Sequence, residues 1–123
     1  MRKKILIVDD SLYMQTVIKD ILSGAGYEVV GTAATGESAL QKTFDLEPDL
    51  VTLDNILPDM LGTDVLRLLR DEGVTANVLM ISAVGQQPVV TAALGLGAAD
   101  YLVKPFTPEQ LLAAVQKATA PKA

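Results

Sequence analysis

Short apolar runs alternate five times with segments of helical periodicity along this chain. Apolar runs of this length predict β-strands, and they cover residues 4–8, 28–32, 50–53, 77–81 and 101–103. Between them, apolar residues recur every three or four positions, which indicates one buried helix face; the clearest stripe comprises Met14, Val17, Ile18, Ile21 and Leu22. The regular alternation favours a parallel sheet with helices on both faces.

Start signals mark two of the predicted helices. Residues 107–110 supply a hydroxyl cap, a proline at the first helical position and an amide at the third, which predicts the start of the last helix. The second helix is expected to begin near Thr35. Before the third helix we expect a loop that contains Pro58 and Gly62.

The strands differ in character, and this difference predicts their order in the sheet. The first, third and fourth runs are continuously apolar, as interior parallel strands are. The second run carries Glu28 and Gly31, and the fifth run is short, so we expect both at the edges. The prediction is a single α/β domain over residues 1–123, in which five helices surround a doubly wound five-stranded parallel sheet of order 2-1-3-4-5, the flavodoxin-like arrangement.

Polar and charged residues follow the strands at the points where these end. Asp9 and Asp10 follow the first strand, Asp54 the third, Ser82 the fourth and Lys104 the fifth. Because the carboxyl ends of parallel strands share one edge, where ligands bind, we expect these side chains to converge there. Carboxylates gathered so closely repel one another and favour a hard divalent cation, and Mg²⁺ fits best because it takes oxygen ligands. An amine opposite that cation would suit a phosphate.

Composition and charge narrow the classes of function. The chain has 123 residues, a net charge of −5 and a pI near 4.5, so we expect no direct nucleic-acid binding. It contains neither cysteine nor histidine, which excludes thiolate zinc sites, cysteine nucleophiles, His-based triads and phosphohistidine carriage by this chain. No apolar stretch approaches the roughly 18 residues of a membrane span, and no signal-peptide region opens the chain. We therefore predict a cytoplasmic protein without membrane insertion.

Each of these residues has an ordinary structural explanation when it is taken alone. Asp9 and Asp10 precede a helix and could be N-caps. Asp54 and Ser82 fit turns, and Lys104 fits a solvated surface. The functional interpretation depends on their conjunction at one edge of the sheet. Two other classes stay open on the residues alone: a phosphohydrolase that uses Asp9 as nucleophile, and a flavin binder, although the adjacent acids would repel a flavin phosphate.

Several motifs resemble those of response-regulator receiver domains. They are ILIVDDS at 5–11, Asp54 followed by Leu57-Pro58 and Gly62, Ser82-Ala83, and KPF at 104–106. The resemblance covers essentially the whole chain. Residues 51–54 and 82–87 are further similar to the single-domain CheY subgroup, which serves chemotaxis. The chain departs from the family mildly, since Leu57 stands where Met is usual and Ser82 where Thr is frequent, and serine keeps the hydroxyl.

The resemblance implies a role for each residue of the acidic edge. Asp54 would be the phosphoacceptor, and Lys104 would pair with a phosphoryl oxygen. Asp10 and Asp54 would bind Mg²⁺ directly, together with the main-chain carbonyl of Asn55. Asp9 would bind the ion through water.

The resemblance also implies an output and partners. Ser82 and Tyr101 would be the switch pair that repacks the surface of the fourth helix, fifth strand and fifth helix. A sensor histidine kinase would be the phosphodonor, and a flagellar motor switch or another protein target would bind the phosphorylated form. The protein would be a monomeric, stand-alone response regulator of a two-component system, not an enzyme but a switch that assists its own phosphorylation and dephosphorylation.

Three variants of this interpretation differ in the context or the chemistry of the receiver. A phosphorelay intermediate and a receiver cut from a larger transcriptional regulator both stay open. A receiver without acceptor chemistry is disfavoured, because no acceptor-site residue is missing.

Overall fold

The computed structural model describes residues 2–120, which form five strands and five helices in regular alternation. The strands are β1 (Lys4–Val8), β2 (Glu28–Ala33), β3 (Leu50–Leu53), β4 (Asn77–Ser82) and β5 (Asp100–Val103). The helices are α1 (Leu12–Gly24), α2 (Gly36–Leu46), α3 (Gly62–Asp71), α4 (Gln87–Gly95) and α5 (Pro108–Thr119). The predicted alternation is confirmed, and β2, β4 and β5 are each one residue longer than expected. None of the helices within residues 2–120 combines the length and apolarity needed to span a bilayer.

The sheet is parallel throughout and has the order β2-β1-β3-β4-β5, as predicted. All residues of the central strand β3 are buried, whereas the edge strand β5 is only partly buried. This contrast is the one that the uninterrupted apolar runs indicated. Because β1 and β3 are neighbours, Val8 pairs with Leu53, and the residues after both strands start from adjacent points.

The core has two halves, one on each face of the sheet. Alternate residues of a strand point to opposite faces. In β1, Leu6 and Val8 belong to the half of the core that includes residues of α2, α3 and α4, while Ile5 and Ile7 belong to the half that includes residues of α1 and α5. Burial of this apolar surface on both faces fixes the register of the central strands, since a slip of one residue would exchange the two faces.

The capping signal at residues 107–110 is confirmed. Thr107 Oγ1 accepts a hydrogen bond from Gln110 N at 3.1 Å, and Gln110 Oε1 accepts one from Thr107 N at 2.9 Å, which closes a capping box. Thr35 caps α2 in the same manner, with its hydroxyl accepting from Ser38 N. The expected loop before the third helix is shorter than predicted, because Gly62 is the first residue of α3. The Gly62 N–H donates to the Asn55 carbonyl at 2.7 Å, so the chain turns into the helix there.

Candidate functional site

The acidic residues meet at the carboxyl edge of the sheet, where β1 and β3 end side by side. The backbone continues their pairing beyond the strands, since Asp54 N donates to Val8 O at 3.0 Å. One carboxylate oxygen from each of Asp9, Asp10 and Asp54 lies within 4.8 Å of the other two. Asp9 and Asp54 are buried, with exposures of 1% and 7%, while Asp10 is exposed. The structure therefore brings together all three of the predicted carboxylates.

Lys104 reaches this cluster from the end of β5. Its Nζ lies 2.7 Å from Asp9 Oδ2 and 3.1 Å from Asp54 Oδ2, so the amine bridges the two buried carboxylates. Burial alone would lower the pKa of Lys104, but the hydrogen bond that its amine donates to Asp9 and the negative charges of Asp54 and Asp9 outweigh burial and raise the pKa above its ordinary value. The amine thus stays charged at neutral pH. The peptide between Lys104 and Pro105 is cis.

Ser82 and Tyr101 meet the same segment, the loop between β4 and α4. Ser82 is buried, and its hydroxyl accepts a hydrogen bond from Val84 N at 3.3 Å. The hydroxyl of the half-buried Tyr101 donates to the Val84 carbonyl. Burial raises the pKa of Tyr101 above its ordinary value. The Ser82 hydroxyl lowers the pKa in part, and the negative charge of Asp54 raises it further. Both predicted switch residues therefore bond to the same residue of this loop, Ser82 to the N–H of Val84 and Tyr101 to its carbonyl.

The loop after β3 is tightly folded against Asp54. Ile56 N donates to Asp54 Oδ1 at 3.3 Å, and the Asn55 carbonyl accepts the bond from Gly62 N. A Cβ at position 62 would lie 2.3 Å from the Asp54 carbonyl oxygen, so only glycine fits there. The Asn55 carbonyl keeps one lone pair for a further partner. The next carbonyl, that of Ile56, accepts no hydrogen bond from residues 2–120.

Two residues that support the site were missed by the sequence analysis. Gln15 is buried, and its Nε2 donates to the carbonyl of Asp9 at 2.7 Å and to that of Ala33 at 3.4 Å. Its position three residues before Ile18, on the buried stripe of α1, was the available signal. Asp59 is the other, because its carboxylate accepts from the first N–H groups of α2 and so anchors the loop after β3.

A different concave region lies at the opposite edge of the sheet. It has a volume of about 420 Å³ and is lined in part by Phe44, Pro48, Asp49 and Val74. It contains none of the predicted site residues and no cationic side chain. The convergence of acids and an amine therefore places the candidate site at the carboxyl edge rather than in this concave region.

The charge of the site indicates what it can bind. Three carboxylates and one amine leave a formal charge of −2, which a single divalent cation would balance. The separations, up to 4.8 Å between oxygens, suit an ion held partly through water. Once that charge is balanced, the Lys104 amine can serve an incoming anion beside Asp54.

Comparisons with known proteins agree with this geometry. Residues 5–116 match the response regulator receiver domain family. The chemotaxis protein CheY of Thermotoga maritima is 42% identical over 117 residues, which cover 95% of this chain and 98% of that protein. The chemotaxis protein CheY of Bacillus subtilis is 43% identical over 117 residues, with the same two coverages of 95% and 98%.

A solved structure shares the fold. A chain of the CheX–CheY–BeF₃–Mg²⁺ complex from Borrelia burgdorferi is similar with a TM-score of 0.93 at 33% identity, covering 97% of this chain and 90% of that one. The family match over most of the chain, the order of the strands and the acidic edge lead to one conclusion. This chain belongs to the response regulator receiver domain family.

Proposed function

We propose that this protein is a CheY-like response regulator of chemotaxis, which accepts a phosphoryl group on Asp54 and thereby changes its affinity for a protein target. The observation that carries the proposal is the position of the Lys104 amine, 3.1 Å from Asp54 Oδ2, beside a cluster of three carboxylates. The two CheY relatives named above align with this chain over nearly their full length and support the chemotaxis role. Residues 1–123 act as one receiver domain and as a monomer, in the cytoplasm where the kinase's ATP is available.

Asp9, Asp10 and Asp54 would hold Mg²⁺, since their oxygens match its ligand preference and the site carries two uncompensated negative charges. Bound there, the ion would neutralise charge on the phosphoryl oxygens. The Asn55 carbonyl stays a prediction as a further ligand. The Ile56 carbonyl is a second candidate, because it is free of hydrogen bonds from residues 2–120 whereas that of Asn55 is already bound by Gly62.

The residues of the chain supply positioning for phosphoryl transfer. This sequence has no histidine, so the phosphohistidine donor belongs to a partner, a sensor histidine kinase. A carboxylate oxygen of Asp54 attacks the phosphorus while the bond from phosphorus to the donor nitrogen breaks, which leaves an aspartyl phosphate. Lys104 is already at hydrogen-bond distance from that carboxylate and would bind a phosphoryl oxygen. A receiver of this kind is a switch rather than a conventional enzyme, and its help in its own phosphorylation and dephosphorylation comes from this positioning.

Ser82 and Tyr101 carry the change to the surface. The Ser82 hydroxyl can bond to a new phosphoryl oxygen, and because Ser82 and Tyr101 both hold Val84, the loop between β4 and α4 follows. Shifting a resting equilibrium from 1:99 to 99:1 needs about 5.5 kcal/mol. Hydrogen bonds to charged groups, at about 1.5–3 kcal/mol each, can supply that preference.

The face formed by α4, β5 and α5 would bind the target. Leu94 on α4 and Val103 on β5 are 44% and 42% exposed, which leaves apolar surface for a protein partner. The flagellar motor switch is the expected target. CheX, named in the Borrelia burgdorferi complex, indicates a second kind of protein partner for a relative of this chain.

Acyl-phosphate labelling tests the acceptor. The protein is incubated with Mg²⁺ and acetyl phosphate, and its intact mass is measured. We expect one added phosphoryl group in the wild type and in Asp64→Asn, a matched control at an exposed acid on α3. We expect none in Asp54→Asn or in the presence of EDTA. Uptake by Asp54→Asn would assign the acceptor elsewhere and contradict the proposal.

Calorimetric titration with a purified motor switch protein tests the output. Beryllofluoride and Mg²⁺ are added to mimic the phosphorylated state, and we expect tighter binding than without them. The gain should be lost in Tyr101→Ala. Equal affinity in both states would contradict the chemotaxis role while leaving Asp54 as the acceptor.

A further inference from the structure

We propose that Gln15 is a positioning residue for the divalent-cation site, acting through the peptide group between Asp9 and Asp10. The inference rests on the proposed function, since it concerns the ion held by the same acidic cluster. The hydrogen bonds that the Gln15 side chain donates go to backbone carbonyls rather than to the carboxylates of the cluster. It acts on the backbone that carries two of the ligands.

The contacts of Gln15 link three elements at the edge of the sheet. The residue lies in the first turn of α1 and is 8% exposed. Its Nε2 donates to Asp9 O at 2.7 Å, just after β1, and to Ala33 O at 3.4 Å, at the end of β2. Ala33 O also accepts from Asp9 N at 3.0 Å. One buried amide therefore ties the start of α1 to the ends of both strands.

The bond to the Asp9 carbonyl matters because Asp10 has little else to orient it. Asp9 is held through its own side chain, whose Oδ1 accepts from Ser11 N at 2.9 Å and whose Oδ2 pairs with Lys104 at 2.7 Å. The Asp10 side chain has no hydrogen bond to any residue in the described part of the chain, 2–120. The Asp9 carbonyl and the Asp10 N–H belong to one planar peptide group. Fixing that carbonyl thus fixes the position of the Asp10 Cα, from which its side chain starts.

The chemical nature of residue 15 supports a role at the site rather than in core packing. Gln15 lies three residues before Ile18 and seven before Leu22, on the face of α1 that is otherwise apolar. A buried amide costs free energy unless its hydrogen bonds are made, so an apolar residue would suit packing better. An apolar side chain would leave the Asp9 carbonyl without this donor. The hydrogen bond to the Asp9 carbonyl, after β1, therefore explains why an amide occupies this buried position.

Gln15→Met tests the inference, because methionine has similar length and no donor. Mg²⁺ is titrated into the unphosphorylated protein by calorimetry, and phosphorylation by acetyl phosphate is followed as a function of Mg²⁺ concentration. We expect a Kd for Mg²⁺ weaker by about tenfold, the loss typical of removing a group that orients a metal ligand. We expect the phosphorylation rate to return to the wild-type value when Mg²⁺ is saturating.

Thr43→Val is the matched control. Thr43 is also buried, and its hydroxyl donates to the Ala39 carbonyl at 2.7 Å, within α2. It should lose stability without any change in Mg²⁺ affinity. Gln15→Leu repeats the test with a residue that fits the apolar stripe, in case the methionine variant folds poorly.

Four results would overturn the inference: unchanged Mg²⁺ affinity in the Gln15 variants, an equal loss of affinity in Thr43→Val, a rate deficit that persists at saturating Mg²⁺, or loss of folding in both Gln15 variants. The last two would assign Gln15 to Asp54 geometry or to the stability of the fold. If the wild type itself neither binds Mg²⁺ nor accepts a phosphoryl group, the proposed function fails instead, and the two failures are distinct.

Discussion

Replacing Asp10 by Asn should stabilise the protein without Mg²⁺ and destabilise it relative to the wild type with Mg²⁺. Asp10 is the carboxylate of the cluster that Lys104 does not bind, since the amine is engaged by Asp9 and Asp54. In the metal-free protein the charge of Asp10 therefore adds to a site in which two carboxylates already outnumber one amine. Asparagine keeps the shape and removes the charge.

The magnitude follows from the separations in the site. At the 4.8 Å limit of the cluster, two unit charges repel by about 1 kcal/mol in water and by about 3.5 kcal/mol at the effective dielectric constant of a protein surface. Asp10 faces two such neighbours, but it is exposed, and the Lys104 amine offsets part of the repulsion. We expect Asp10→Asn to raise the free energy of unfolding by about 1–2 kcal/mol in EDTA. At a Mg²⁺ concentration of 100 times Kd the wild type gains about 2.7 kcal/mol, which reverses the order.

Urea unfolding in EDTA and in MgCl₂, at matched ionic strength, measures both differences. Asp20→Asn is the control, because Asp20 is an exposed acid farther along α1 with the same charge change. It should shift stability little and should gain from Mg²⁺ as the wild type does. The gain of Asp10→Asn in EDTA should shrink at high salt, since exposed charges are screened. A variant that is less stable than the wild type in EDTA, or that gains equally from Mg²⁺, would refute the repulsion argument.

Three further predictions follow from the packing around the site. Gly62→Ala should lower the free energy of unfolding by about 1–3 kcal/mol and slow phosphorylation, since its Cβ would lie 2.3 Å from the Asp54 carbonyl oxygen. Gly24→Ala has open space around its Cβ and should show neither effect in urea unfolding or mass labelling. Hydrogen bonds from the backbone N–H groups of Gly36 and then Glu37 lower the pKa of Asp59 from its ordinary value of 3.8. The part of its stabilisation that depends on ionisation should therefore be complete above about pH 5 and should be lost as the pH falls through the lowered pKa, and unfolding midpoints of the wild type and Asp59→Ala between about pH 7 and pH 2 would check this. Thr52→Val should be neutral or stabilising by about 1 kcal/mol with unchanged phosphorylation, because the buried Thr52 hydroxyl has no hydrogen-bond partner within residues 2–120; a clear loss of stability would mean that the hydroxyl has a partner.

The fold could be predicted well because the strands carry strong local signals. The apolar runs of β1, β3 and β4 reflect burial on both faces, a property that acts on each residue of the run. The ends of the strands were predicted less accurately. Ser82 belongs to β4 because it pairs with Val103, and a local sequence pattern does not indicate which residues a neighbouring strand will pair. Gly62 shows the same limit. It was assigned to a loop by its residue type, but a contact with the Asp54 carbonyl decides its place.

The candidate site was predicted as a set of residues but not as a set of contacts. Topology places Asp9, Asp54 and Lys104 at one edge, and the structure brings them together. That Lys104 lies closer to Asp9 than to Asp54 depends on distances of tenths of an ångström, which no spacing in the sequence encodes. Gln15 was hidden because a polar residue on an apolar stripe has many explanations. Its role depends on which carbonyl faces it, and that follows only from the tertiary arrangement.

The order of the strands also explains why the positively charged side chain of this site is a lysine that follows β5. Between β1 and β5 lie β3 and β4, so the two strands are about 14 Å apart at the usual spacing. A long and flexible side chain is suited to this distance, and Lys104 places one amine between Asp9 and Asp54 from the end of β5. Ser82 ends β4, the strand between β3 and β5, so its hydroxyl lies between the strand ends that lead to Asp54 and to Lys104. The edge therefore combines carboxylates that follow the adjacent strands β1 and β3, a hydroxyl at the end of β4, and the long lysine side chain after the edge strand β5.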